Sequence, residues 1–118
     1  MKLSNFLLGK IAEYFVIFLY KICFYKIMAH RLRNVGGEID IIAKKRDLIV
    51  FIEVKSRRKN LSYYGKSILS QKQKLRIIQS AKIFLAKKKL VNCEIRFDLV
   101  ILQRFNLPII LKNAWGSE

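Results

Sequence analysis

The sequence predicts a single α/β domain over residues 1–118, built on a mixed β-sheet with helices packed against it. Three observations support this fold class. An apolar segment at 6–28 suits a helix buried against a sheet, strand-like runs with period-two alternation follow it, and residues 70–89 carry the apolar stripe of an amphipathic helix. The length of 118 residues fits one domain, and a hydrophobic content of 53% is sufficient for a core.

The predicted elements follow one another in the order α-β-β-β-α-β, with a further short strand at the end. They are a helix over 5–23, strands over 24–33, 38–44 and 48–56, a helix over 70–89, a strand over 95–102 and an edge strand over 108–112. Ser4 or Asn5 can cap the first helix and Ser70 the second, and residues 34–37 (NVGG) predict a turn between strands. The predicted buried stripe of the second helix consists of Leu75, Ile78, Ala81 and Leu85.

The charge of the chain is strongly unbalanced, with 24 Lys and Arg against 8 Asp and Glu and a formal net charge of +16. Self-repulsion of this size opposes compaction and favours a polyanionic partner. Nucleic acid is the first candidate, because each phosphate that a cation neutralises releases condensed counterions. An anionic membrane surface and a merely solvated basic surface are the alternatives.

The N-terminal apolar segment is not expected to cross a membrane, because Glu13, Lys21 and Lys26 interrupt any window of about 20 apolar residues. No small-residue cleavage site of a signal peptide follows it, and attachment to a membrane surface is kept as an alternative. Cys23 and Cys93 lack the spacing of zinc ligands, so both are expected to be buried thiols. We therefore expect a cytoplasmic protein.

The hairpin at 38–56 carries the residues of chemical interest. If its loop around Arg46 and Asp47 has an even number of residues, position i faces position 93 minus i, and Asp40 then lies across from Glu53. The Cβ atoms of such a pair are about 4.5–5.5 Å apart, where like charges repel unless they share a proton or a cation. Glu38 would face Lys55 on the same side of the hairpin. An ordinary cross-strand ion network is the alternative, and a loop of three residues would break the register.

The other side of the predicted hairpin is almost wholly apolar and is expected to lie under a helix. Its members are Ile39, Ile41, Ala43, Lys45, Leu48, Val50, Ile52 and Val54.

Two acids and a lysine in this arrangement suit phosphodiester chemistry. Asp40 and Glu53 offer the hard oxygen ligands that Mg²⁺ or Mn²⁺ prefers, and a bound metal lowers the pKa of water and offsets charge on a phosphate. Lys55 lies two residues past Glu53 on the same face, where a cation can orient the nucleophile or stabilise the transition state.

The segments GEIDIIA at 37–43 and FIEVKSR at 51–57 resemble the central motif of the YraN-like family. These small bacterial proteins are placed among restriction-endonuclease-like, or PD-(D/E)-x-K, nucleases, near archaeal Holliday junction resolvases. The resemblance runs nearly end to end. Further similarities lie at Gly9, Ala12, Glu13, Gly65, 72–75, 96–98, Asn113 and Ala114. There are two departures, because Phe24 occupies a position that is usually glycine and Arg31 one that is usually asparagine.

The resemblance implies a restriction-endonuclease-like core and assigns roles to particular residues. Asp40 and Glu53 would be metal ligands, Lys55 the catalytic lysine, and Glu13 a third acid supplied by the first helix. From the sequence, Glu13 could equally be a solvated residue of its turn. Arg96 and Asp98, two positions apart on one strand, more often form a structural ion pair than a catalytic one.

The expected nucleic-acid contacts lie in the basic segment after the hairpin and at the start of the second helix. They are Arg57, Arg58, Lys59, Tyr63, Lys72 and Lys74. Tyrosines among cations combine stacking rings with phosphate-binding charges. The alternatives are that a tyrosine is part of the core and that Lys74 belongs to a solvated helix surface.

Taken together, the sequence predicts a nuclease that uses Mg²⁺ or Mn²⁺, needs no small-molecule cofactor and acts on nucleic acid, DNA before RNA by family analogy. The rival hypothesis is a non-catalytic nucleic-acid-binding protein with the same fold. A protein that attaches to membrane surfaces is a third, which the interrupted apolar segment disfavours. The oligomeric state is not predicted, and a homodimer is one option.

Overall fold

The computed structural model describes residues 5–57, 69–103 and 107–116. Its elements are α1 (Asn5–Ile22), β1 (Lys26–Asn34), β2 (Gly37–Lys45), β3 (Leu48–Arg57), α2 (Gln71–Lys87), β4 (Glu94–Gln103) and β5 (Ile109–Trp115). The predicted order of elements is confirmed, although the last strand is longer than predicted. The fold class is also confirmed, since a mixed sheet of five strands flanked by two helices is consistent with a restriction-endonuclease-like core.

The strands lie in the sheet in chain order, β1-β2-β3-β4-β5. β3 and β4 are parallel, and α2 forms the crossover between them, while the other neighbours are antiparallel. β3 is therefore the central strand, hydrogen-bonded on both sides. Glu53 and Lys55 lie on this strand, so the backbone that carries them is among the most constrained in the sheet.

Each face of the sheet is covered by one helix. The core on the α1 side contains Val16, Tyr20, Ile41, Ala43, Val50, Ile52 and Val100. The core on the α2 side contains Ile39, Ile42, Ile49, Phe51, Leu69, Ile77, Ile78, Ala81, Phe84, Phe97, Leu99, Ile101 and Trp115. The predicted apolar side of the hairpin does pack under α1, except that Ile39 lies in the α2-side core and Lys45 is exposed.

The second helix begins as predicted, because Ser70 caps it. The Gln73 N–H donates to the Ser70 hydroxyl at 3.1 Å, and the Ser70 N–H donates to the Gln73 side chain at 3.2 Å, which completes a capping box. The predicted buried stripe was wrong at Leu75, which is 55% exposed. The buried stripe is centred on Ile77, Ala81 and Phe84, so Leu75 falls nearly opposite to it.

The turn between β1 and β2 is fastened to α2. The Asn34 side-chain amide donates to the Ser80 carbonyl at 3.1 Å, and the Ser80 hydroxyl donates to the Gly37 carbonyl at 3.3 Å. A Cβ on Gly36 would lie 2.7 Å from the Ser80 backbone nitrogen. Only glycine therefore allows this close approach, which holds the start of β2 against α2.

Phe24 and Arg31 both have left-handed backbone conformations, with φ of 71° and 56°. Phe24 follows the C-terminus of α1, and its N–H donates to the Lys21 carbonyl at 2.9 Å, as in a helix cap where glycine is usual. Glycine and asparagine are the residues that adopt this conformation most readily. The glycine and asparagine that the resemblance leads one to expect at these positions would adopt the same conformations with less strain than Phe24 and Arg31 do.

The outer surface of α1 is mainly apolar from Leu7 to Ile22. Its exposed side chains include Leu7, Leu8, Ile11, Tyr14, Phe15, Phe18 and Ile22. Among residues 5–57, 69–103 and 107–116, no helix combines the length and apolar character that crossing a membrane requires.

The expectation of two buried thiols was wrong, because Cys23 is exposed after the end of α1 and Cys93 is half-buried.

Candidate active site

The β2–β3 hairpin has the predicted register. Residues pair from Lys45–Leu48 to Ile41–Ile52, so each pair sums to 93, and the loop consists of Arg46 and Asp47. Asp40 is the next residue of β2. Its carboxylate accepts the Val54 N–H at 2.8 Å, so a side chain replaces the main-chain acceptor that an antiparallel ladder would offer. The two strands are held together here by the carboxylate itself.

The alternation of side chains along β2 breaks at Asp40. Ile41 packs in the α1-side core, whereas Ile39 and Ile42 both pack in the α2-side core. The prediction that Ile39 shares a face with Ile41 was therefore wrong. The break lets the Asp40 carboxylate reach the gap between the strands, where it accepts from the Val54 N–H of β3 and lies within electrostatic range of Glu13 on α1.

Asp40 and Glu53 form a carboxyl pair that retains a proton. Burial, and then the charge and hydrogen bond of Asp40, raise the pKa of Glu53 to about 9, although the Lys55 ammonium lowers it. Burial also raises the pKa of Asp40, and Glu13 adds to this rise, while hydrogen bonds from Glu53 and the Val54 N–H oppose it. The two acids therefore titrate as a coupled pair, and their raised pKa values mean that the pair holds a proton to higher pH than an isolated carboxyl would. The predicted pairing of the two acids is thus present in the structure.

Lys55 lies beside this pair. Its Nζ is 3.6 Å from Glu53 Oε2, and both side chains are largely buried. The predicted contact between Lys55 and Glu38 was wrong, because Glu38 pairs instead with Arg33 across the β1–β2 ladder at 3.3 Å.

Glu13 lies on the buried side of α1 and is held by two cationic or titratable groups of β1. His30 Nε2 lies 2.7 Å from Glu13 Oε1, and Arg31 Nε donates to the same oxygen at 2.9 Å. Hydrogen bonding to Glu13 raises the pKa of Arg31. Sequence reasoning missed His30. The signal that could have identified it is Glu13, a lone acid on an apolar helix that requires partners when it is buried.

Arg96 and Asp98 form the structural ion pair that was expected. The guanidinium donates to both carboxylate oxygens, at 2.8 and 2.9 Å, and the Tyr20 hydroxyl and the Asn113 N–H also donate to Asp98. Asp98 is fully buried and its oxygens are satisfied. It therefore connects α1, β4 and β5, and no acceptor remains for catalysis.

The predicted nucleic-acid contacts are distributed over two segments. Lys72 is exposed and Lys74 is half-buried in the first turns of α2. Arg57 ends β3. Arg58, Lys59 and Tyr63 lie outside the described residues, so their roles stay predictions.

The donor set of the site fits Mg²⁺ or Mn²⁺ bound through two carboxylates. Asp40 and Glu53 are hard oxygen donors within hydrogen-bonding reach of each other, and a proton now offsets their repulsion where a cation could do so. In the part of the chain that the structure describes, no group of three or more His, Cys, Asp or Glu side chains could hold a metal. Glu13 therefore does not complete a three-acid cluster with the pair. Mg²⁺ often binds through one or two carboxylates, with waters and substrate phosphate as the remaining ligands.

Comparison with known proteins gives one consistent result. The model of the uncharacterised protein family UPF0102 matches residues 12–102. A UPF0102 protein of Fusobacterium nucleatum is 37% identical over 94 residues, which cover 80% of this chain and 79% of the relative. One of Ehrlichia ruminantium is 41% identical over 110 residues, covering 92% and 83%, and one of Paramagnetospirillum magneticum is 36% identical over 115 residues, covering 93% and 88%. The matched segment contains the carboxyl pair, Lys55 and Glu13.

Proposed function

This chain belongs to the uncharacterised protein family UPF0102, and we propose that it is a metal-dependent nuclease that hydrolyses phosphodiester bonds, in DNA before RNA. The observation that carries the proposal is the pair formed by Asp40 and Glu53. Two buried carboxyls on adjacent strands are destabilising unless a proton or a cation lies between them. A fold under selection for stability alone would not retain such a pair, so we infer a role in binding a cation.

In this proposal each side chain of the site has a role. Asp40 and Glu53 would hold Mg²⁺ or Mn²⁺, which when bound supplies a more acidic water and offsets charge on the scissile phosphate. The Val54 N–H donates to one oxygen of the Asp40 carboxylate. Because Val54 belongs to the central strand, this hydrogen bond fixes the orientation of the carboxylate. Lys55, beside Glu53, presents a cation to the attacking water or to the negative charge that develops on phosphorus.

Glu13 acts at longer range in this proposal. Its carboxylate adds negative potential at Asp40, which strengthens the attraction for a divalent cation. His30 and Arg31 keep that carboxylate in place and satisfy its oxygens. Glu13 is therefore a positioning and electrostatic residue rather than a direct ligand.

The net charge of +16 supports nucleic acid as the substrate class. Cations spread over the surface attract the phosphate backbone, and such attraction falls steeply as salt displaces it. The candidate active site is an acidic patch within this basic surface. A metal ion bound there would lie between the protein and a phosphate of the substrate.

The test is cleavage of branched, single-stranded and duplex substrates with Mg²⁺ or Mn²⁺. We expect the wild type to cleave at least one of them and Lys55→Ala to lose turnover while it keeps affinity. Glu38→Gln is the matched control, because Glu38 is an exposed acid two positions from Asp40 that pairs with Arg33. Binding without cleavage by the wild type in any metal would favour the rival, a non-catalytic binding protein, which the lack of a third ligand among the described residues also suits.

A further inference from the structure

A cavity of about 390 Å³ lies at the opposite end of β2 from the carboxyl pair. It is lined by Phe24, Lys26, Met28, Lys44, Lys45 and Arg46. Lys44 is four residues from Asp40, which corresponds to about 13 Å along a strand. The cavity is therefore separate from the candidate active site but on the same strand.

Four cationic side chains line this cavity and repel one another. Lys26 and Lys44 pair directly across the β1–β2 ladder, where like charges destabilise a sheet. Lys45 Nζ lies 5.2 Å from the centre of the Tyr25 ring, and Arg46 occupies the adjoining turn. None of the described residues that line the cavity is acidic. An anionic ligand would relieve this repulsion.

Phe24 adds an aromatic surface to the same cavity. Its side chain is 84% exposed and contributes little to either core, yet its backbone has the strained left-handed conformation at φ 71°. The left-handed conformation follows from the cap of α1, but folding does not explain why an exposed phenylalanine occupies it. Strain of this kind clusters at ligand-binding positions, and a role in contacting a ligand would account for it.

We infer that this cavity binds a nucleotide unit of single-stranded nucleic acid, with its base stacked on Phe24 and its phosphates among Lys26, Lys44, Lys45 and Arg46. Alternating aromatic and cationic contacts are how proteins hold single strands without reading sequence. A volume of about 390 Å³ falls in the range of small-molecule sites. The inference rests on the proposed function in taking nucleic acid as the partner, and it names the single strand as the form bound.

The experiment measures the anisotropy of a short fluorescein-labelled oligothymidylate, with EDTA present so that no cleavage occurs. Phe24→Gly removes the ring and relaxes the backbone, and we expect a loss of affinity of roughly 5- to 150-fold. Phe24→Tyr restores a stacking ring and should bind as the wild type does. The matched control is Phe18→Ala, which removes an exposed aromatic ring from α1, outside the cavity.

The cations are tested by salt dependence. Lys26→Gln combined with Lys44→Gln should reduce the slope of log affinity against log salt by about 1.4, since each lost phosphate contact on a single strand contributes about 0.7. Lys82→Gln, an exposed lysine of α2 outside the cavity, should leave the slope unchanged.

Three outcomes would overturn the inference. The cavity is not the binding site if Phe24→Gly and the lysine pair bind the oligonucleotide as tightly as the wild type. The partner is not a nucleic acid if the wild type does not bind it at all. The occupant is a lipid surface if Phe24→Gly abolishes flotation with phosphatidylcholine–phosphatidylglycerol vesicles and leaves oligonucleotide binding intact.

Failure of the nuclease proposal is distinguishable from these outcomes. A wild type that binds through Phe24 but cleaves nothing in any metal would retain the cavity inference and remove the nuclease. If the wild type cleaves, and the cavity variants bind and cleave as well as the wild type does, the nuclease proposal is retained and the cavity inference is removed.

Discussion

Replacement of Glu53 by glutamine keeps the shape of the protonated side chain and removes its ability to ionise. Glu53 is well suited to this substitution because it is only 14% exposed and shares a proton with Asp40. The variant therefore changes one property of the site in the metal-free protein. We expect Glu53→Gln to be more stable than the wild type near neutral pH.

The magnitude follows from the pKa of Glu53. Folding raises that pKa from 4.5 to about 9, so between these values the folded chain binds more protons than the unfolded chain. The free energy of unfolding then falls as pH rises, from full stability below about pH 4.5 to its lowest contribution above about pH 9. A pH of 7 lies about 2.5 units above the pKa of Glu53 in the unfolded chain. At about 1.36 kcal/mol per unit, the ionisation of Glu53 lowers the free energy of unfolding at pH 7 by about 3 kcal/mol. Glutamine removes this penalty.

The assay is thermal unfolding in EDTA, followed by circular dichroism from pH 5 to pH 9. We expect the melting temperature of the wild type to fall across this range and that of Glu53→Gln to fall much less, with a difference at pH 7 of roughly 10 °C. Glu38→Gln should follow the wild type. At pH 8, millimolar Mn²⁺ should raise the melting temperature of the wild type by mass action and leave that of Glu53→Gln nearly unchanged.

The opposite pattern would refute the reasoning. If Glu53 were ionised and simply paired with Lys55, glutamine would remove a favourable interaction, and the variant would be less stable than the wild type at pH 8. Parallel pH profiles for the two proteins would likewise show that Glu53 has no raised pKa.

Four further results are expected. Asp40→Asn should abolish cleavage and leave the metal-free protein no less stable, as urea unfolding in EDTA would show; clear destabilisation would indicate a structural ion pair. Lys55→Ala should lower kcat by about 10²–10³ with unchanged Kd, the size of a lost transition-state contact, and an equal loss in Kd would contradict this. Asp98→Ala should destabilise the fold by about 3 kcal/mol or more in urea, because it leaves the Arg96 charge without its partner. Phe24→Gly should stabilise the fold by about 1 kcal/mol, since it relieves a left-handed conformation, and a loss of stability would mean that the ring supports the fold.

Much of the candidate site was predictable because one face of a strand repeats every two residues. The two-residue loop and this period together placed Asp40 opposite Glu53 and put Lys55 beside them. The same rule failed at Ile39, because the Asp40 carboxylate takes a main-chain hydrogen bond and the strand changes face there. A period-two pattern assumes an unbroken backbone ladder. It therefore cannot predict a position where a side chain accepts a hydrogen bond in place of a backbone carbonyl.

The partners of Glu13 were not predictable by the same means. His30 and Arg31 reach it from another element, 17 and 18 residues along the chain, and no periodic pattern links a helix to a strand. The left-handed φ of 56° at Arg31 was not predicted either, because a period-two pattern assumes a regular strand backbone. The contact between Arg31 and Glu13 depends on how α1 packs on the sheet, which a periodic pattern does not specify.

Salt has two opposing effects on a molecule that combines a net charge of +16 with an apolar outer surface on α1. At low ionic strength, mutual repulsion between these basic molecules opposes their association even though Ile11, Tyr14 and Phe18 are exposed. At about 1 M salt the screening length shrinks to about 3 Å, so nucleic acid bound as proposed would dissociate and the repulsion between copies would disappear in the same step. We therefore expect the wash that removes bound nucleic acid to be the condition under which the first helix is most prone to self-association. Intermediate ionic strength, rather than high salt, should then keep the purified chain dispersed.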